Sequence, residues 1–264
     1  MNIITNVNAK KYLSATYTNS TNITSYDHLR WRVNNSLLLS AKNKYFGWQL
    51  NLGQSYYESA LWTTVTKNVN NVNSLVSATN ADRIGRTNFI KSGVTFDIGK
   101  DRLLLNYDLN YSNNSSNTKG NGPGFSTDDD SYTDALRQDF VVTYQKKFED
   151  RAKKLEFKVN YNDNKNDFLL NSRINNLTLL DNESNQQLFN AEVDYSQPIT
   201  FSDEGKLSFG GLYEGLFFET QSKNFVNLDY QRKTAAAYTE IQTKFDKFSF
   251  IVGGRAEDYN ITGT

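Results

Sequence analysis

The 264-residue chain carries 29 basic and 29 acidic side chains, so no net charge draws it towards nucleic acid. It has no cysteine, which excludes disulfide staples and thiolate metal sites. Mean hydropathy is negative and no apolar run approaches the ~20 residues of a membrane helix, yet a barrel wall needs only alternate residues to be apolar.

Seventeen phenylalanines, sixteen tyrosines and only two prolines suit long strands joined by polar connections. Leu13, Ala15 and Tyr17 permit a strand near 9–18, followed by the polar stretch NSTNITSYD. Residues 28–40 alternate Leu29, Trp31, Val33, Leu37 and Leu39 with Arg30, Arg32, Asn34 and Ser36. After a turn at 41–44, Phe46, Trp48, Leu50, Leu52 and Tyr56 oppose Gln49, Asn51, Gly53 and Ser55. An Asn-rich loop is expected from 59 to 85.

Ile90, Val94, Phe96 and Ile98 then oppose Lys91, Thr95 and Asp97, with a turn at Gly99, Lys100 and Asp101. Leu103, Leu105, Tyr107, Leu109 and Tyr111 oppose Asn106, Asp108 and Asn110. A second loop is expected at 112–133, before a strand carrying Phe140, Val142, Tyr144 and Phe148 and a turn at 149–153. The alternation is cleanest at 154–162, where Leu155, Phe157, Val159 and Tyr161 face away from Lys154, Glu156, Lys158 and Asn160. A third loop, 163–185, leads to Phe189, Ala191, Val193 and Tyr195, which oppose Asn190, Glu192, Asp194 and Ser196. A turn at 200–205 precedes Leu207, Phe209, Gly211, Tyr213, Gly215 and Phe217, and a loop is expected at 219–230.

The last hairpin has Ala235, Ala237, Ile241 and Phe245 on one face of its first strand, and Tyr238, Glu240, Gln242 and Lys244 on the other. It turns at Asp246 and Lys247 and returns with Phe250, Val252, Gly254 and Ala256 against Gly253, Arg255 and Glu257. The pattern predicts an all-β, antiparallel, up-and-down sheet of about eleven long strands. Short turns gather at one end and long loops at the other, as in transmembrane barrels. Tyr45, Phe46, Phe148, Phe245 and Phe248 near the short turns, and Tyr56, Tyr111, Tyr161 and Phe217 near the long connections, suit two interfacial girdles.

The final stretch RKTAAAYTEIQTKFDKFSFIVGGRAEDYNITG resembles the barrels of TonB-dependent outer-membrane receptors. Ala236-Ala237-Tyr238, Lys247-Phe248-Ser249-Phe250 and Gly253-Gly254-Arg255-Ala256-Glu257 carry the likeness, which is greatest to the outer membrane β-barrel family of Bacteroidetes-type bacteria. The resemblance implies a barrel of about 22 strands closed around an N-terminal plug. Residues 1–264 are then expected to form part of one barrel domain, without the plug, signal peptide or C-terminal strands. It also implies a place in the outer membrane of a Gram-negative bacterium and energy-coupled uptake of a scarce nutrient. Its partners would be lipid, the plug, the remaining strands, the TonB system and a nutrient of unspecified class. The alternative is an outer-membrane barrel with a binding, adhesion or structural role and no energy coupling.

No enzyme, cofactor or metal is expected, and no ligand-binding residue is assigned. Asp128, Asp129 and Asp130 offer carboxylates to a hard cation, but without a second ligand group a solvated loop is favoured. The GNGPG run at 120–124 follows no strand–helix unit and reads as a loop rather than a phosphate cradle. His28 beside Asp27 lacks a positioned nucleophile and reads as a polar rim residue. The charges Arg30, Arg32, Lys154, Glu156, Lys158, Glu192, Asp194, Glu240, Arg255 and Glu257 share the polar face. Singly they suit a watery lumen with pairs across strands; as a set they are expected to meet the plug.

Overall fold

A computed structural model describes residues 11–25, 27–69, 72–150, 152–174, 176–199, 205–223, 226–245 and 247–264. Eleven strands follow one another: β1 Tyr12–Ser25, β2 Leu29–Lys42, β3 Phe46–Val69, β4 Val72–Ile98, β5 Asp101–Gly122, β6 Phe125–Lys147, β7 Lys154–Ile174, β8 Asn176–Ile199, β9 Gly205–Ser222, β10 Leu228–Phe245 and β11 Phe248–Gly263. Each pairs antiparallel with the next, so sequence order is also spatial order. The start of the expected strand at 9–18, most of the turn at 200–205 and Asp246 lie outside the described residues.

Register confirms the two faces. Phe46 pairs with Phe96, Phe96 with Leu103, Leu103 with Tyr144 and Tyr144 with Phe157. The same row continues through Val193, Gly211, Ala237 and Ala256. Directly paired residues share a face, so a one-residue slip at any ladder would break this apolar row. Among the described residues Ala81 is the only apolar side chain classed as buried. Phe140, Phe157, Val159, Phe209 and Phe217 are all more than a third exposed, so the apolar surface lies outside the sheet instead of forming a core.

The apolar belt also drifts. It begins at Phe46 on β3, but following that row to β11 reaches Ala256, eight residues beyond the belt's start at Phe248 and eight strand steps away. A drift of about one residue per strand, with ~3.3 Å rise and ~4.8 Å strand spacing, tilts the strands by roughly 35° to the belt. That is the low end of the tilt found in transmembrane barrels, about 35–45°.

The polar stretch 19–27 and the connections expected at 59–85, 112–133, 163–185 and 219–230 are mostly not loops. The ladder runs unbroken in strand assignment from Phe46–Phe96 to Val69–Val72, with one register shift between Val65 and Thr66. β5 and β6 pair up to Gly122–Phe125 and turn through Pro123 and Gly124, whose φ of +86° requires glycine. Between β9 and β10 the connection shrinks to 223–227. The two ends still differ, because every long connection projects past the belt at the same end. β3 continues 17 residues beyond Leu52, roughly 46 Å along the sheet normal to the belt at this tilt. Asn, Ser and Thr fill these extensions because both faces meet water there; pairing persists while the apolar alternation stops.

Candidate functional site

The polar face of β7 to β11 holds the densest set of charges. Lys158 stands directly opposite Glu192, and Glu156 opposite Asp194. Like charges in register are unfavourable, so the second pair needs other partners. Gln145 on β6 donates to Glu156 at 2.9 Å, and the Tyr238 hydroxyl donates to Asp194. Tyr238 belongs to β10 and Asp194 to β8, so its ring must cross β9. It crosses over Gly210, where a Cβ would lie 2.7 Å from the ring. Tyr57 repeats the arrangement on β3, passing Gly85 to reach Asn114 on β5 at 3.3 Å.

Beside this network a recess of about 400 Å³ is lined by Leu212, Glu214, Arg232, Arg255, Glu257 and Tyr259, among others. Arg232 bonds Glu214 across the β9–β10 ladder, whereas Arg255 bonds Glu257 along β11 at 2.7 Å. Cross-strand pairing therefore holds for Arg232–Glu214, for Arg102–Asp97 at 2.9 Å and for Lys91–Asp108 at 3.7 Å. It does not describe Arg255 and Glu257. Sequence reasoning passed over Glu214, Arg232, Gly210 and the role of Tyr238. A polar-face glycine opposite an aromatic was the available signal for the last two.

At the far end of the β1–β2 hairpin, Arg30 is 6 % exposed and lies between Asp27, at 2.9 Å, and Asp82 of β4, at 2.8 Å. His28 sits 3.1 Å from Asp27 and is exposed, as expected of a rim residue. Glu58 of β3 accepts the Trp31 amide at 3.1 Å and the Tyr56 hydroxyl. Partial burial raises the Asp27 pKa, but its own amide, the His28 amide and the Arg30 guanidinium outweigh that and hold it below its ordinary value. A depressed carboxyl pKa gives stability that is present above the ordinary carboxylate range and is lost as pH falls through the lowered value. The Asp27–Arg30 tie therefore stays charged throughout the neutral range.

The remaining candidates separate. Asp128, Asp129 and Asp130 lie in β6, not in a loop, so alternate carboxylates point to opposite faces and the three do not converge on one ion. Asn117 donates to Asp130 at 2.7 Å, and the Ser172 hydroxyl donates to Asp129. Gly120 and Gly122 lie in β5, so the glycine run is largely strand. Among the described residues no group of three or more His, Asp or Glu is arranged to hold a metal.

Residues 146–264 match the sequence model of the outer membrane protein beta-barrel family. The sheet is the wall of an outer-membrane β-barrel. The apolar face is its lipid-facing surface, the polar face its inner wall, and the protein resides in the Gram-negative outer membrane. Solved structures similar to the chain include the ferric yersiniabactin uptake receptor FyuA from Yersinia pestis, at 9 % identity and a TM-score of 0.41. The ferric citrate transporter FecA gives 9 % and 0.42, and the β domain of the Bordetella autotransporter BrkA gives 9 % and 0.31. The comparison spans 89 % of this chain and 43 % of FyuA, 90 % and 46 % for FecA, and 93 % and 96 % for BrkA. The chain thus spans less than half of the first two. Nothing among curated proteins matches.

The network over Gly210 gives a direct prediction for the barrel wall. Gly210→Ala should press on both the Val193 carbonyl and the Tyr238 ring and destabilise the barrel by about 1–3 kcal/mol, the usual range for overpacking. Tyr238→Phe, which removes only the donor to Asp194, should cost about 1.5–3 kcal/mol. Urea unfolding in lipid vesicles measures both, and the two losses should add only in part, because they share the Tyr238–Asp194 contact while the Val193 carbonyl clash belongs to Gly210→Ala alone.

Proposed function

We propose that this chain is the barrel portion of a TonB-dependent receptor that takes up a scarce nutrient, and that it has no enzymatic role. The observation that carries this reading is a wide, open sheet with a charged inner wall. Eleven tilted strands at ~4.8 Å spacing cover roughly 64 Å of circumference, yet among the described residues β1 and β11 each have a strand partner on one side only. In lipid an unpaired edge group costs on the order of several kcal/mol, so in a closed ring both edges are paired. A plug enters this reading through the likeness of the last hairpin to plugged receptor barrels, and Glu156, Lys158, Glu192, Asp194, Arg255 and Glu257 offer polar partners for one. The likeness of the last hairpin to Bacteroidetes-type receptors supports the same reading.

Energy coupling is the testable part. A strain lacking the gene and a strain lacking the TonB system should show the same growth defect when iron chelates, glycans or peptides are supplied one at a time at limiting concentration. A defect in the gene-deletion strain alone would favour the binding, adhesion or structural role without energy coupling.

A further inference from the structure

The β2–β3 ladder ends at Arg32–Tyr57, whereas β2 continues to Leu29 and β3 continues to Val69. Beyond that row the β1–β2 hairpin keeps its own pairing, to Ser25–Leu29, but leaves the backbone of its neighbour. Side chains replace the ladder. The Trp31 amide, which has no β3 carbonyl within this ladder, donates to the Glu58 carboxylate at 3.1 Å. Arg30 reaches past β3 altogether to form an ion pair with Asp82 on β4, Nη2 to Oδ1 at 2.8 Å, while the same Nη2 donates to both oxygens of Asp27 at the hairpin tip at 2.9 and 3.1 Å. Neighbouring side chains cover this guanidinium at the rim, and its charge is matched only while its carboxylates stay in place.

We propose that the tip of the β1–β2 hairpin, beyond the Asn22–Arg32 pair, is a latched flap on the barrel's outer rim, hinged at the Arg32–Tyr57 row and fastened by Arg30 between Asp27 and Asp82. The tip has two discrete states. Latched, it continues the wall beside β3; released, it is held only by its own ladder and swings about the last β2–β3 pair. Among the described residues the β2–β3 ladder does not extend beyond the hinge row, so the side-chain ties set the balance. β2 is paired to β3 from Lys42 back to Arg32, so the part free to swing is the short tip that carries Leu29, Arg30 and Trp31.

Spin labels on cysteines replacing Ile23 and Asn80, in the full-length protein in outer membranes, report the distance from the hairpin to β4. One narrow distance distribution is expected for the otherwise unchanged protein. Asp82→Asn should broaden it and raise the released-to-latched ratio at least roughly tenfold, while Asp82→Glu should keep it narrow. Asp27→Asn, which alters a residue outside every strand, should also release the flap and remains informative if Asp82→Asn does not assemble. Labels at Ser116 and Ser131, directly paired on β5 and β6, should not respond to any of these changes. A broad distribution in the unchanged protein, or an unaltered one in Asp27→Asn, would overturn the proposal.

Discussion

Arginine in place of Val159 is expected to destabilise the inserted barrel by about 2–4 kcal/mol and lower the inserted fraction, whereas glutamine in place of its neighbour Lys158 should leave insertion intact. Val159 stands mid-belt on β7, in the row of Trp48, Val94, Leu105 and Val142, and is 36 % exposed on a face with no protein against it. A cation at the midplane of a barrel's lipid face costs about 2–4 kcal/mol. That is a large share of a typical folding free energy of ~5–15 kcal/mol. Lys158 faces the lumen, where water solvates either side chain. Heat-modifiable migration on gels, compared for Val159→Arg and Lys158→Gln, gives the answer. Equal behaviour of the two variants would contradict the face assignment.

Removal of residues 113–134, with Ser112 and Ala135 joined through an Asn-Gly turn, is expected to eliminate nutrient capture without loss of the barrel. The segment is the outer part of the β5–β6 hairpin, beyond the belt residue Tyr111 and its partner Leu136. Shortening it leaves Leu103–Tyr144 through Tyr111–Leu136 paired, and a two-residue Asn-Gly turn fits an antiparallel pair. Recognition on a rigid scaffold usually resides in its projecting connections, and the turns at the other end are too short to enclose a solute. Growth on the limiting nutrient should fall to that of a strain lacking the gene, while surface abundance stays unchanged. Normal growth with this hairpin trimmed would remove it from the capture surface.

Within the belt, the fold was legible in the sequence. Leu155, Phe157, Val159 and Tyr161 alternate with Lys154, Glu156, Lys158 and Asn160 because lipid and water impose opposite demands on successive side chains. Past Tyr161 the same strand continues through Asn164, Lys165 and Asn166 to Ile174, and the signal vanishes although the backbone pairing does not. Water on both sides removes any reason for alternation, and asparagine is poor evidence for a strand. The expected loops were therefore a misreading of hydration, not of topology. The site was partly visible for a similar reason. Parity places Glu192 and Asp194 on the inner wall, but nothing local to Tyr238 announces a partner 44 positions away across Gly210. Likewise Arg30 was read as a lumen charge, and its Asp82 partner two strands away depends on how the hairpin parts from β3.

The central claim is that the sheet is a barrel wall with lipid on one face and water on the other. Spin labels placed singly at each residue from 155 to 161, in the full-length protein in outer membranes, test it most directly. Labels at 155, 157, 159 and 161 should be relaxed by lipid-soluble oxygen, and those at 156, 158 and 160 by an aqueous nickel chelate, with a period of two throughout. The opposite phase, or no alternation at all, would contradict the account.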